Sequence, residues 1–201
     1  MKPLKVVVLA SGSGTLFQAL IDAAPNMNID IVGLITDVEC PAIERANKAG
    51  ITTHIVALQD DRAAWDEALR QAIHVAQPDL VVSAGFMKIL GPRVLGDFEG
   101  RIINTHPALL PNFPGAHAVR DALAAHATET GTTIHFVDAG VDTGKVIAQR
   151  VVEIHDTDDE ASLHERIKIQ ERELLVETVG NFATGSIRFP DVTKHQEGSL
   201  S

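Results

Sequence analysis

The sequence predicts an α/β fold in a single domain, with a mostly parallel, twisted sheet covered by helices on both faces. Short apolar runs rich in Val and Ile alternate with segments of helical periodicity through the first half of the chain. These runs are almost continuously hydrophobic, as expected for strands buried on both faces. No Gly-, Pro- or Ser-rich linker divides the 201 residues, which suffice for one sizeable core.

The first half supplies four predicted strands and three predicted helices. Asp60 or Asp61 can cap a helix that runs to about Ala76, and Gly50 is a natural stop for the helix before it. The strands are predicted at Val6–Ala10, Ile29–Ile35, Thr52–Val56 and Leu80–Ala84. The other two helices are predicted at Thr15–Ala23 and Pro41–Ala49.

The second half departs from this alternation, because a proline-containing loop follows its first strand and a short acidic connection joins the next two. Its strands are predicted at Arg101–Thr105, Thr130–Val137, Val146–Ile154 and Ser186–Phe189. Its helices are predicted at about Ala116–Ala127 and Glu160–Gly180. We therefore expect one domain over residues 1–189 and a polar tail over residues 190–201.

Composition argues against several classes of protein. Lys and Arg number 17 against 27 Asp and Glu, and the resulting net charge of −10 repels phosphate backbones, so no nucleic-acid partner is expected. No apolar run approaches the roughly 20 residues that a membrane-spanning helix requires, so no membrane association is expected. The single cysteine, Cys40, rules out an internal disulfide and fits a reducing, cytoplasmic location. No H-E-x-x-H pattern occurs, and no catalytic metal is predicted.

A glycine-rich turn, Ser11-Gly12-Ser13-Gly14-Thr15, lies between the first predicted strand and the first predicted helix. Glycines let a ligand approach the backbone, and free N–H groups at the start of a helix attract phosphate. The dinucleotide pattern G-x-G-x-x-G would need a third glycine where Phe17 stands, although Asp37, 23 residues after Gly14, lies where a ribose-binding acid could be. We favour a phosphate-binding turn without a dinucleotide, and a turn that serves only packing is the alternative.

Asn104 and His106 end a predicted strand, at the sheet edge where open α/β folds bind ligands. Strand alternation places both side chains on one side, where an amide can donate to a developing oxyanion and an imidazole can carry a proton. Asp142, in the acidic loop Asp138–Gly144, is a candidate to orient this imidazole. The alternatives are a structural histidine and a simple turn, since the sequence does not show that Asp142 and His106 meet.

Two other histidines bear on this site. His135 lies in a predicted strand just before the acidic loop, so core packing is its expected role, although its side chain could reach the same cleft. His164 lies in the last predicted helix and is expected to be a surface or packing residue.

The segment Asn104–His117, with the sequence N-T-H-P-A-L-L-P-N-F-P-G-A-H, resembles the signature of the folate-dependent formyltransferases. Its Phe-Pro-Gly-x-His ending is similar to the members that act on glycinamide ribonucleotide. Segments Ala84–Leu90 and Asp138–Gly144 also lie where that family has comparable segments, and the resemblance extends from Lys5 to about Phe189. It implies a Rossmann-like formyltransferase fold, in which the N-terminal half binds the phosphoribosyl substrate and the C-terminal half completes a folate cleft.

The resemblance also implies a reaction and the residues that perform it. The formyl group of 10-formyltetrahydrofolate, a co-substrate, would pass to the amine of glycinamide ribonucleotide in de novo purine biosynthesis. The implied catalytic residues are Asn104, His106 and Asp142. The implied ribonucleotide-binding positions are Gly12, Ser13, Gly14, Thr15, Leu16, Lys168 and Glu171. The implied folate-contacting positions are Arg62, Met87, Lys88, Ile89, Leu90, Asn104, Asp138, Ala139, Gly140, Val141 and Asp142.

Two hypotheses concern the shape of this cleft. We expect Met87, Ile89, Leu90 and Val141 to form an apolar slot for the flat pterin, with ordinary core packing as the alternative. The loop Leu110–His117 contains two prolines and a glycine beside the site, which suits a lid.

Other functions stay open at this point. A formyltetrahydrofolate deformylase usually carries an extra N-terminal domain, and a methionyl-tRNA formyltransferase usually carries a C-terminal β-domain and a basic surface, so neither is favoured. A nucleotide-binding regulatory module that uses only Gly12–Gly14 is an alternative from a different class. The sequence sets no oligomeric state, and a homodimer is compatible with it.

Overall fold

The structure, a computed structural model, describes residues 2–191 of the protein. The strands are β1 (Leu4–Ala10), β2 (Ile29–Thr36), β3 (Thr53–Ile55), β4 (Leu80–Ser83), β5 (Ile102–His106), β6 (Glu129–Phe136) and β7 (Val146–Glu153). The helices are α1 (Thr15–Ala23), α2 (Pro41–Ala49), α3 (Arg62–Ala76), α4 (Pro92–Asp97), α5 (Ala118–Ala124) and α6 (Glu160–Thr184), with a 3-10 turn at Ala24–Asn26. In this described part of the chain, no helix combines the length and the apolar character needed to cross a bilayer.

All seven strands form one sheet in the order β3-β2-β1-β4-β5-β6-β7. Strands β1 to β5 are parallel, whereas β6 is antiparallel to both of its neighbours. The chain therefore winds outward from β1 to β3 and then crosses to the other side of β1. The carboxyl ends of β1 and β4 flank the point where the winding reverses, which is where sheets of this kind bind ligands.

Helices cover both faces of the sheet, as the continuous apolar strands predict. In β1, Val6 and Val8 pack into a core with α1, α2 and α6, while Val7 and Leu9 pack on the opposite face with α3 and α4. Burial of large side chains such as Phe17 on one face and Trp65 on the other stabilises each layer by roughly 1.5–3 kcal/mol per fully buried side chain. The predicted α/β class, with a mostly parallel sheet, is confirmed.

Helix α4 was not predicted from the sequence, and a long-range cap explains why it forms. The buried carboxylate of Asp66, on α3, accepts hydrogen bonds from the backbone N–H groups of Arg93 (2.8 Å) and Val94 (3.4 Å) at the first turn of α4. Gly91 makes this approach possible, because a Cβ atom at that position would overlap the Asp66 carboxylate. The cap fixes the far end of the segment that connects β4 to α4 and lines the ligand-binding edge.

The predicted strand Ser186–Phe189 is wrong. Helix α6 continues beyond the predicted end at Gly180 to Thr184 and stops at Gly185, whose φ of 76° only glycine adopts readily. The chain then folds back, with the Ile187 N–H donating to the Asn181 carbonyl at 3.0 Å and the Phe189 ring stacked on Phe182 with a centroid distance of 4.9 Å. The apolar alternation that suggests a strand here instead reflects side chains packed against α6.

The other boundaries differ less. Helix α5 is shorter than the predicted Ala116–Ala127, because Gly115 and Ala116 belong to a loop that lines a cleft. Most of the predicted polar tail, from residue 192 to residue 201, lies outside the described residues.

Candidate active site

A cleft of about 510 Å³ opens at the carboxyl ends of β1, β4 and β5. The turn after β1 and the face of α6 form one side, and the segment after β4 forms another. The end of β5, the loop that follows β6 and the residues Gly115 and Ala116 before α5 complete the wall. Among the lining residues, those predicted as site residues are Gly12, Ser13, Gly14, Thr15, Leu16, Met87, Lys88, Ile89, Leu90, Asn104, His106, Asp138, Gly140, Val141, Asp142, Lys168 and Glu171.

The glycine-rich turn is shaped to present backbone donors at the start of α1. Gly14 has a φ of 68°, and a Cβ there would lie 2.7 Å from the Ala42 side chain, so both conformation and space require glycine. No side chain caps α1, which leaves the N–H groups of its first turn free for a ligand. Arg45 supports the turn from outside by donating from Nε to the Ser13 carbonyl at 2.8 Å. The turn can therefore bind a phosphate group through its backbone.

Asn104 and His106 lie on the same side of β5, as the alternation of the strand predicts. The Asn104 side-chain amide lies 3.3 Å from Nε2 of His135, which is its partner across the β5–β6 pairing. The His106 ring is buried, yet it borders the cleft. An amide and an imidazole therefore face the same small volume.

Asp142 meets His106, although 36 residues of chain separate them. Its Oδ2 lies 3.3 Å from Nδ1 of His106 and accepts a hydrogen bond from the Gly115 N–H at 2.8 Å. Its Oδ1 lies 3.6 Å from Nε2 of His135. The backbone of Asp142 has a φ of 54°, a left-handed conformation that aspartate tolerates better than most residues. The structure thus brings the three predicted catalytic side chains together.

The electrostatics of this cluster keep Asp142 ionised. The His135 imidazole, whose Nε2 lies 3.6 Å from Oδ1, is the main cause that lowers the pKa of the Asp142 carboxyl, and the Gly115 N–H and the nearby His106 act in the same direction. Partial burial opposes them by disfavouring the charged form. An ionised carboxylate at this place can orient an imidazole beside the cleft through a ring nitrogen.

Both ring nitrogens of His106 face acceptors. While Nδ1 faces Asp142, Nε2 lies 2.8 Å from the carbonyl oxygen of Phe113, in the loop before α5. A carbonyl can only accept, so Nε2 carries a proton in this arrangement. The Asp142 carboxylate and the Phe113 carbonyl therefore fix the orientation of the ring from two sides.

His135 is buried, as expected, and its side chain also reaches the cleft, the second role that the sequence left open for it. Its Nδ1 donates to the Phe136 carbonyl at 2.8 Å, while Nε2 lies between Asn104 and Asp142. Unprotonated Nε2 accepts from the Asn104 amide, and protonated Nε2 donates to Asp142. The signal in the sequence was its strand position just before the acidic loop, but the pairing partner in β5 could not be known from the sequence.

Helix α6 presents three polar side chains to the cleft, His164, Lys168 and Glu171. Burial raises the pKa of the Glu171 carboxyl, and a hydrogen bond from the Thr105 hydroxyl partly opposes this shift. Burial and the nearby Lys168 ammonium lower the pKa of His164. His164, expected to be a surface or packing residue, is half-buried and lines the cleft, on the same helix face as Lys168 four residues later.

The exposure of the apolar side chains at the cleft rim distinguishes the two interpretations given to them, a slot for a ligand and ordinary core packing. Met87 and Ile89 expose 67% and 65% of their surface, and Val141 is also exposed, so core packing is wrong for these three. Leu90 lines the cleft but is buried in the core beneath it. Four exposed or lining apolar side chains at a cleft mouth are what a flat aromatic ligand requires.

Three positions singled out from the sequence lie apart from the cleft. Arg62 and Ala139 do not line it. The Arg62 guanidinium instead donates to the Ile89 carbonyl at 2.7 Å and stacks over the Trp65 ring at 4.6 Å, so it supports the rim from outside. Asp37 is buried beneath Lys88, and its carboxylate is not open to a ribose in the cleft, which argues against a dinucleotide. Within residues 2–191, no group of three or more His, Cys, Asp or Glu side chains is placed to hold a metal ion.

Comparison with known proteins agrees with this geometry. Residues 4–179 match the model of a family described as formyl transferase. A phosphoribosylglycinamide formyltransferase of Mycobacterium tuberculosis (strain CDC 1551 / Oshkosh) is 52% identical over 188 residues, which cover 92% of this chain and 87% of that protein. The enzyme of the same name from Escherichia coli (strain K12) is 38% identical over 192 residues, with 92% and 90% coverage. The crystal structure of glycinamide ribonucleotide transformylase 1 from Symbiobacterium toebii superposes with a TM-score of 0.90 at 34% identity and covers 94% of this chain and 92% of that one.

Proposed function

Because this chain belongs to the formyl transferase family, we propose that it transfers the formyl group of 10-formyltetrahydrofolate to the amine of glycinamide ribonucleotide, a step of de novo purine biosynthesis. The observation that carries the proposal is the convergence of Asn104, His106 and Asp142 on the wall of one cleft. A phosphate-binding turn and an apolar rim border the same cleft, as two different substrates require.

We assign the two substrates to opposite sides of the catalytic cluster. The turn at residues 12–16 offers backbone N–H groups for the phosphate, and Lys168 adds a positive charge. Glu171 lies where it can accept from the ribose hydroxyls or the amine of the same substrate. The rim at residues 87–90 and the loop at residues 138–142 receive the pterin of the formyl donor, through apolar contact and backbone groups.

The chemical step requires a stabilised oxyanion. Attack of the amine nitrogen on the formyl carbon forms a C–N bond and moves the carbonyl electron pair onto oxygen. Asn104 donates to this oxygen from its amide and His106 from Nε2, and the loss of one such donor costs about 3 kcal/mol of barrier. Collapse of the intermediate breaks the bond to N10 of the folate, while one proton passes from the attacking amine to that nitrogen.

Asp142 acts on this step through His106 and through bound water. Its ionised carboxylate holds the imidazole in its donating form and orientation. We assign the proton transfer between amine and N10 to Asp142, relayed by His106 or a water. The Phe113 carbonyl must release Nε2 before the formyl oxygen can take its place, so the loop at residues 110–117 has to shift, in keeping with its predicted role as a lid.

A formyl-transfer assay tests this function. The enzyme should convert 10-formyltetrahydrofolate and glycinamide ribonucleotide to tetrahydrofolate and the formylated ribonucleotide, and folate turnover should stop when the ribonucleotide is omitted. Release of formate without ribonucleotide would favour a deformylase instead. A failure to bind either substrate would leave only the nucleotide-binding module. A cytoplasmic location and a homodimer stay predictions.

A further inference from the structure

An ion pair joins the end of β2 to the segment after β4, which carries the apolar rim of the cleft. Asp37 directly follows β2, and Lys88 lies in the segment after β4. Lys88 Nζ lies 3.2 Å from Asp37 Oδ2, with 29% of the Lys88 side chain and 1% of the Asp37 side chain exposed. Because β1 lies between β2 and β4, this pair spans the carboxyl end of β1, at the place where the glycine-rich turn begins.

The segment after β4 is held against that turn by further contacts. The Ser11 N–H donates to the Gly85 carbonyl at 3.1 Å, and the Met87 N–H donates to the Ser11 hydroxyl at 2.9 Å. On the outer side, Arg62 donates to the Ile89 carbonyl. The residues between these anchors carry the exposed apolar side chains of the rim, so the position of the rim depends on how firmly this segment is held.

Burial of the Asp37 carboxylate at this position has a free-energy cost. Its carboxylate is buried, Oδ2 contacts the Lys88 ammonium, and Oδ1 has no hydrogen-bond partner. A buried charge is tolerated only when an opposite charge compensates it, so moving Lys88 toward a substrate would leave Asp37 uncompensated. Lys88 is therefore held by the protein rather than free to follow a ligand anion.

We propose that Asp37 is a positioning residue for the formyl donor, acting through Lys88 to fix the rim at residues 87–90 in the place where the pterin binds. The inference rests on the proposed function, since the donor must bind at this rim. Asp37 does not touch the donor, the ribonucleotide or the reacting atoms. It sets the affinity for one of the two substrates and leaves the chemical step to the catalytic cluster.

The test variant is Asp37→Asn, which keeps the size of the side chain and removes its charge. The KM for the formyl donor and the Kd of a non-reactive folate analogue should each rise about tenfold, about 1.4 kcal/mol. The kcat and the KM for glycinamide ribonucleotide should stay within about twofold of the unmodified protein. Hydrogen exchange at the Met87 amide should become faster. The matched control is Asp30→Asn, the same change at an exposed position of β2, which should alter none of these values.

The single variant Lys88→Met and the double variant Asp37→Asn/Lys88→Met complete a double-mutant cycle. The two residues act as a pair if the double variant raises the analogue Kd by less than the product of the two single effects, and effects that multiply would contradict the pair. Unchanged analogue Kd and donor KM in folded Asp37→Asn protein would overturn the positioning role, and so would equal losses for both substrates. Failure of the unmodified protein to bind the analogue would instead contradict the proposed function, so the two failures are distinguishable.

Discussion

The His106 ring is held from both sides by the protein. Asp142 contacts Nδ1, and the Phe113 carbonyl accepts a hydrogen bond from Nε2. The imidazole is therefore preorganised in orientation. Such preorganisation is the main source of electrostatic catalysis, since the donors need not reorient as charge develops.

At the residue scale, His135→Ala should change the pH dependence of the reaction. His135 is the main cause of the lowered pKa of Asp142, so its removal should raise that pKa. Because the active form requires the Asp142 carboxylate, the acidic limb of kcat/KM should move to higher pH, with a smaller loss at pH 7 than at pH 4. Kinetics from pH 3 to 8 would check this, with His155→Ala at an exposed position as the control. An acidic limb at the same pH as in the unmodified protein would contradict this role of His135.

Glu171→Gln should stabilise the protein at high pH and weaken its binding of glycinamide ribonucleotide. Burial raises the pKa of Glu171 in the folded state, so the native protein favours its protonated form and loses stability as pH rises through that pKa. Glutamine removes this cost, and the variant should resist urea better than the unmodified protein at pH 8 and equally at pH 4. The KM for glycinamide ribonucleotide should rise about tenfold, since glutamine offers one acceptor oxygen where the carboxyl group offers two. Lower stability of the variant at pH 8 would count against a costly buried carboxylate.

At the scale of elements, the cap between α3 and α4 decides whether α4 forms. A Cβ at Gly91 would overlap the Asp66 carboxylate that accepts from the first N–H groups of α4. Gly91→Ala should therefore lower the free energy of unfolding by about 1–3 kcal/mol in urea titrations. The matched control is Gly96→Ala in α4 itself, where nothing lies within 4 Å of the added Cβ.

The control should stabilise the protein by about 0.5–1 kcal/mol, because alanine favours a helix over glycine. Equal changes in the free energy of unfolding for the two substitutions would mean that the Asp66 cap does not stabilise α4. The same contact explains why the sequence did not reveal α4. Its cap comes from a residue on another helix, and a six-residue helix has little periodicity of its own.

For the whole molecule, much of the fold follows from local patterns, because continuous apolar runs and capping residues act over short distances. The strand order, the antiparallel addition of β6 and β7 and the return of residues 186–189 onto α6 depend on contacts between distant segments. The same distinction between local patterns and contacts of distant segments applies at the site. Strand alternation predicts that Asn104 and His106 share a side, whereas the entry of His135 between Asn104 and Asp142 depends on the β5–β6 register.

The most direct test of catalysis by the Asn104, His106 and Asp142 cluster is the single-turnover rate of formyl transfer by Asp142→Asn. The variant keeps the size of the side chain, so it should fold, and saturating concentrations of both substrates remove any change in Kd from the comparison. Its transfer rate should fall on the order of 10³-fold, since the charge that holds the donating imidazole is gone. A rate close to that of the unmodified protein, with both substrates bound, would contradict the catalytic role of the cluster.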